Sequence, residues 1–377
     1  MMNIEQALNL KTFKSFKLVC GKEGLHNQIS KIGILDYENE EEVRKNFYKD
    51  EFVLTNFLMG KEDKEVIKDI IKALIDINAS GLAIKPIYIK SLPKEIIDYC
   101  NKNNFPIFFY EDAFFEDILN DFSEAKIRLE AKNNLFLNIK KLLDDSLKED
   151  YVIEIVKNIN KYFYDNFLIL AVKPKDKCIR DLTIPIKWDI SRSCKLIEFK
   201  DMYFFIYSYK DIKEDKKIYN YALRTIKLLG LNDKDNYIAF SLVHKDLESM
   251  NIALLEALNT LKICNDNNNI LYFKDLGEEK FLLPLLENIW VEKYYYNIIE
   301  PLLEYDKKNN LTLIKTALIY YLNNRDFKKT AKLLYQHENT IRYRIKKIEE
   351  ILNINDIDTR NIDMSIIFKI YKLKNLS

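Results

Sequence analysis

The sequence predicts a mixed α/β chain that ends in an all-helical domain. Three observations carry this. Through the first 122 residues, short apolar runs alternate with amphipathic helical stretches. A second alternation of the same kind occupies residues 151–277. No glycine follows Gly277, and every stretch beyond it has a helical period.

In chain order, "FKLVCG" and "KIGILD" read as strands, "EEEVRKNF" as a short helix and "DEFVLTNF" as a strand. "KEDKEVIKDIIKALIDIN" is a helix, because Val66, Ile67, Ile70, Ile71, Leu74 and Ile75 fall on one stripe. "SGLAIKP" is a short strand ended by Pro86, and "PKEIIDYCNKN" is a helix with Pro93 in its first turn. "FPIFFYE" closes the series as a continuous apolar run. Such runs imply βαβ units and a mostly parallel sheet covered on both faces, so residues 1–122 form one α/β domain.

From Phe122 the pattern turns helical to about Asn160, with Phe122, Ile127, Leu129, Leu135, Leu137, Ile139 and Leu142 at near-helical spacing. Residues 123–150 are thus a helical linker, and both a packed connector and a dimerising helix fit its irregular spacing. In residues 151–277, "NFLILAV" is a strand and "CKLIEFKDMYFFIYSY" a hairpin turning at Lys200-Asp201. A helix from Glu214 stops at Gly230, "YIAFSLVH" is a strand, and a helix capped near Asp246 precedes "NILYFKDL". Residues 278–377 make up the helical domain.

The 377 residues are 48% hydrophobic and 31% charged, with a net charge of +1, which is a globular composition with no general affinity for nucleic acid or membrane. The five cysteines, Cys20, Cys100, Cys178, Cys194 and Cys264, contain no CxxC pair, and the three histidines are far apart. Neither a disulfide framework nor a zinc site is expected, and no cofactor or metal is. The start "MMNIEQALNLK" has no apolar signal core, and no run approaches the ~18 residues of a membrane span. A cytoplasmic protein without membrane contact is the expectation.

One stretch departs from this neutrality: "TAKLLYQHENTIRYRIKKIEEIL", residues 330–352. Its first half is an amphipathic helix containing Ala331, Leu333 and Leu334. "QHEN" interrupts it with helix-starting residue types. The second half sets Ile341, Ile345, Ile348 and Leu352 on one stripe and Arg342, Tyr343, Arg344, Lys346 and Lys347 on the other faces. From Arg325 to Lys347 there are eight cations against two anions, a local charge of +6. Two short helices, a tight turn and a basic second helix are what a helix-turn-helix requires, and such a patch holds phosphates by counterion release. The partner implied is double-stranded DNA.

This stretch resembles the C-terminal helix-turn-helix of the PucR/CdaR family of bacterial transcriptional regulators and is similar to the Fis type. The resemblance rests on Ala331, Leu334, His337, Asn339, Thr340, Ile341, Arg342, Tyr343, Arg344 and Ile345, with "LTLIKTALIYYLNNRDFKKTA" as the lead-in. Gln336 and Glu338 depart from it, since family members usually have an apolar residue and Arg there. Upstream, "GKEGLHNQISKIGILD", "DEFVLTNF", "INASGLAIK" and "LPKEIIDYCNKNNFPIFFY" look like the PucR N-terminal domain, and "IAFSLVHKDLESMNIALLEALNTLK" resembles the family's GGDEF-like central domain. The resemblance implies a regulator of a metabolic operon, of purine catabolism or sugar-acid type. It also implies a homodimer or higher homo-oligomer, and a small-molecule effector at the N-terminal domain.

The expected interface is then residue by residue. Asn339, Arg342 and Tyr343 face base edges. Thr340, Arg344 and Lys346 lie nearer phosphates, with Lys347 beside them, and His337 caps the helix or contacts phosphate. Glu338 either accepts a hydrogen bond from a cytosine amino group, the favoured role, or opposes phosphate as a brake. Catalysis is not expected. "FKDMYF" lacks the glycine pair of a cyclase hairpin, and there is no GxxxxGK, HExxH or GxSxG. "SLPK" and "SEAK" are chance matches in a Lys-rich chain. Asp36, Thr55, Asn56, Lys85, Tyr110 and Glu111, at the strand ends of the first domain, are expected to be satisfied loop residues. The rival reading is a non-catalytic interaction module whose basic helix binds an acidic protein partner.

Overall fold

The computed structural model describes residues 2–61, 64–176, 194–211, 215–352 and 357–375, so Cys178 and the expected helix start at Glu214 lie outside the described residues. The chain divides into two compact units, Met1–Leu135 and Phe136–Ser377.

The first unit contains strands β1 (Met2–Asn3), β2 (Lys17–Cys20), β3 (Gln28–Ile29), β4 (Lys31–Leu35), β5 (Glu51–Thr55), β6 (Gly81–Ile84) and β7 (Ile107–Phe109). Its helices are α1 (Ile4–Ala7), α2 (Glu40–Asn46), α3 (Lys64–Asp76), α4 (Lys94–Lys102) and the beginning of α5 (Phe115–Leu142). The main sheet runs β2-β7-β6-β5-β4 and is parallel except where β2 meets β7, while β1 and β3 form a small antiparallel pair. All five residues of β5 are buried because both faces are covered. Val53 and Leu82 meet Val43, Ile70, Leu74 and Ile96 of α2, α3 and α4 on one face. Phe52, Leu54 and Ala83 meet Ile4, Phe13 and Ile118 on the other.

Thr55, Asn56 and Lys85 are satisfied as expected, whereas the buried Tyr110 hydroxyl has no hydrogen-bond partner among the described residues. Thr55 Oγ1 accepts from the Phe57 N–H at 2.9 Å, Asn56 Oδ1 from the Leu58 N–H at 3.0 Å, and Lys85 Nζ donates to the Ala113 carbonyl at 3.0 Å. Two further expectations shift. Pro93 is the N-cap of α4 rather than part of its first turn. The long helix starts at Phe115, seven residues before Phe122, because Ile118, Phe122 and Ala125 already face the core. Their 4- and 3-residue spacing is hidden in sequence by the apolar Phe114 and Phe115 that precede them.

The second unit begins with the end of α5 and with α6 (Glu149–Ile159). Its strands are β8 (Asn166–Pro174), β9 (Cys194–Phe199), β10 (Met202–Tyr209), β11 (Asn236–Phe240) and β12 (Ile270–Tyr272), with α7 (Asp215–Leu228) and α8 (Met250–Lys262) between them. The order is β12-β11-β8-β10-β9, antiparallel except for β11 with β12. The hairpin pairs Phe199 with Met202, so it turns at Lys200 and Asp201. Gly230, at φ 84°, follows the end of α7, where a left-handed residue costs glycine nothing.

Among the described residues, six helices complete the unit: α9 (Glu279–Leu285), α10 (Ile289–Asn309), α11 (Leu313–Leu322), α12 (Phe327–Leu334), α13 (Glu338–Ile351) and α14 (Ile357–Lys374). One apolar cluster joins them, from Leu282 and Ile299 through Ala317, Ala331, Ile341 and Ile345 to Phe368. None of the helices among the described residues is long and apolar enough to cross a membrane.

Candidate nucleic-acid interface

The site is built by α12 and α13 and the three residues between them. Asp326 caps α12: its carboxylate accepts from the Lys329 N–H at 2.9 Å, and its carbonyl from Thr330 Oγ1 at 2.7 Å. The helix closes at Tyr335, in the left-handed region at φ 55°, followed by a Gln336 N–H to Ala331 carbonyl bond of 3.0 Å. His337 then caps α13, with Nδ1 accepting from the Asn339 N–H at 3.2 Å. The turn is therefore Tyr335-Gln336-His337. Glu338 and Asn339, read in sequence as part of the interruption, already belong to the second helix.

The two faces of α13 divide sharply. Ile341, Ile345 and Ile348 are buried in the bundle, where Ala331 and Thr330 of α12 are also buried. Asn339, Arg342, Tyr343 and Lys346 are exposed, and their spacing puts them on one face. Tyr343 is 70% exposed. His337 is exposed beside them, while Thr340 and Lys347 are partly buried on the flanks.

The cations are not equivalent. Arg342 donates through Nη2 at 2.6 Å and Nε at 3.2 Å to Glu338 Oε1, and its Cζ lies 4.2 Å from the centre of the Phe327 ring. Arg344 turns toward the bundle, where Nη1 lies 3.1 Å from Thr316 Oγ1 and 3.3 Å from Thr312 Oγ1. Lys347 pairs with Glu350 at 3.0 Å, and that hydrogen bond holds its ammonium above its ordinary pKa. Burial pushes the Glu349 carboxyl up, against the pull of Lys346. Arg325, Lys328, Lys329, Lys332 and Lys346 are exposed and carry no ion pair among the described residues. These five supply the exposed, unpaired positive charge of this stretch.

Of the residues expected at the interface, the structure brings His337, Asn339, Arg342, Tyr343 and Lys346 to one exposed surface. Glu338 is tied to Arg342, and Arg344 to the helix beneath. Sequence reading missed Phe327, Thr312 and Thr316, which become relevant only through packing. It also missed Tyr335, 94% exposed at the turn, although a polar or glycine residue is the usual expectation there. No group of three or more metal-ligating side chains occurs among the described residues.

A family profile described as purine catabolism regulatory protein-like matches residues 6–125, and the PucR C-terminal helix-turn-helix domain profile matches residues 313–361. The Proline-responsive transcriptional activator PutR of Bacillus subtilis (strain 168) is 33% identical over 107 residues, 28% of this chain and 26% of that protein. The DNA-binding transcriptional activator AdeR of the same organism is 27% identical over 169 residues, 43% of this chain and 37% of that protein. The Purine catabolism regulatory protein of that organism is 32% identical over 83 residues, 22% of this chain and 15% of that protein. The chain thus matches between about a seventh and somewhat over a third of the length of these relatives. One profile thus lies on the first α/β unit and the other on the stretch that contains α12 and α13, so the chain carries a PucR-type N-terminal domain and a PucR-type C-terminal helix-turn-helix domain.

Proposed function

We propose that the chain is a cytoplasmic, non-enzymatic transcriptional regulator of a bacterial metabolic operon that seats α13 in the major groove of operator DNA. The observation that carries this reading is the division of α13. Ile341, Ile345 and Ile348 fix it to the bundle, while Asn339, Arg342, Tyr343 and Lys346 stand clear on the opposite face. A helix held that way has its polar side free to enter a groove about 12 Å wide. Three relatives named as transcriptional activators or a regulatory protein support it.

The same reading assigns residues 1–122 to a sensor of a small-molecule effector, 123–150 to a linker, 151–277 to a GGDEF-like domain without cyclase chemistry, and 278–377 to DNA binding. The antiparallel β8-β10-β9 arrangement supports the central assignment, with Lys200 and Asp201 at the hairpin turn where a cyclase needs glycines. PutR is named as proline-responsive, which supports a small metabolite as the class of effector. A homodimer is the working form, because two-fold proteins read two half-sites a helical turn apart. Gel-shift titration of the full chain against its own promoter region and against random duplex tests the function. The reading expects the promoter to bind at least about a thousandfold more tightly, and equal binding would overturn it.

A further inference from the structure

We infer that Glu338 is a positioning residue: it holds the Arg342 guanidinium against the Phe327 ring so that Arg342 reads a guanine in the major groove. The inference rests on the DNA-binding reading above and deepens it at one contact.

The geometry is a clamp. Glu338 Oε1 takes the Nε–H and one Nη2–H of Arg342, at 3.2 and 2.6 Å. The guanidinium plane lies over Phe327, the first residue of α12, with Cζ 4.2 Å from the ring centre. Arg342 therefore touches both helices of the motif. Its side chain would otherwise sample several rotamers, and holding it removes that entropy loss from the binding step. Two of its five N–H groups are engaged and three remain, on Nη1 and Nη2. A donor pair from these two nitrogens matches the O6 and N7 acceptors on the major-groove edge of guanine.

The same contacts argue against the two roles that the sequence suggests for Glu338. Both of the hydrogen bonds it accepts come from Arg342 to Oε1, so only Oε2, on a carboxylate already clamped to its own cation, is left for a cytosine. Its charge is matched by a guanidinium at ion-pair distance, which removes most of its repulsion for phosphate. Its place in the first turn of α13 also suits a carboxylate, since the helix dipole favours an anion there.

The test selects bound duplexes from a library with a randomised core, using the full chain and four variants: Glu338→Ala, Glu338→Gln, Phe327→Leu and Arg342→Ala. Thermal melts confirm that each is folded. The parent is expected to require a guanine at one position of each half-site. Arg342→Ala abolishes that preference and Glu338→Ala weakens it about fivefold or more, with the other positions unchanged. Glu338→Gln, which keeps a neutral acceptor for the same two donors, retains most of it, and Phe327→Leu weakens it partly. Loss of a cytosine preference in Glu338→Ala, with Arg342→Ala leaving that cytosine intact, overturns the inference in favour of direct readout. Tighter binding to every sequence by both Glu338 variants, with base preferences unchanged, overturns it in favour of a brake. If the parent enriches no sequence at all, the DNA-binding reading itself fails, and the inference with it.

Discussion

Arg344 and Thr316 fasten the middle of α13 to α11: Nη1 of the arginine lies 3.1 Å from the threonine Oγ1. The hydroxyl proton is already committed to the Thr312 carbonyl at 2.9 Å, so the oxygen has lone pairs to offer the guanidinium. Thr316 is fully buried, and Arg344 is partly buried. A residue that looks from sequence like one more cation of the recognition helix is thus also a bolt between helices.

Arg344→Ala should therefore lower the stability of the helical domain by about 1–2 kcal/mol, the scale of a charge-assisted hydrogen bond that is partly exposed. A double-mutant cycle with Thr316→Val checks this by urea denaturation. Strong coupling supports the bolt. Additive effects would return Arg344 to a purely external role.

Tyr335 holds a left-handed conformation at φ 55° and is 94% exposed, so its side chain contributes little packing while its backbone is strained. Tyr335→Gly should raise stability by about 0.5–1 kcal/mol, seen as a higher midpoint in thermal melting. A lower midpoint would show that the ring has a partner that its exposure does not reveal.

Ile345 is 4% exposed and sits centrally in the cluster that joins α12 and α13 to α10, α11 and α14. Ile345→Ala should cost about 2–5 kcal/mol, by lost burial and the cavity left behind. Circular dichroism during urea denaturation measures it. A loss below about 1 kcal/mol would mean that the domain repacks freely around this helix.

Period and spacing made most of this architecture readable in advance. The Ile341, Ile345, Ile348 stripe predicts the buried face of α13, and the continuous apolar strands "EFVLT" and "GLAI" predict a sheet covered on both sides. Helix starts were less legible. Phe115 reads as part of an apolar loop until the core that receives Ile118 and Phe122 is known. Within the interface, exposure of Asn339, Tyr343 and Lys346 follows from helical period alone. The partners of Arg342 and Arg344 do not, because Phe327 lies 15 residues from Arg342, and Thr316 lies 28 residues from Arg344. Spacing along one helix shows which side a cation leaves from, and only packing shows where it ends.

The central claim is that the exposed face of α13, with its basic surroundings, binds duplex DNA. The most direct measurement is the affinity of the full chain for its promoter duplex across a salt series, with Lys346→Ala alongside. The account predicts a linear fall of log K with log salt, and a slope smaller in magnitude by about 1 per subunit in the variant, which loses one phosphate contact. A flat dependence, or a slope that Lys346→Ala leaves unchanged, would contradict it.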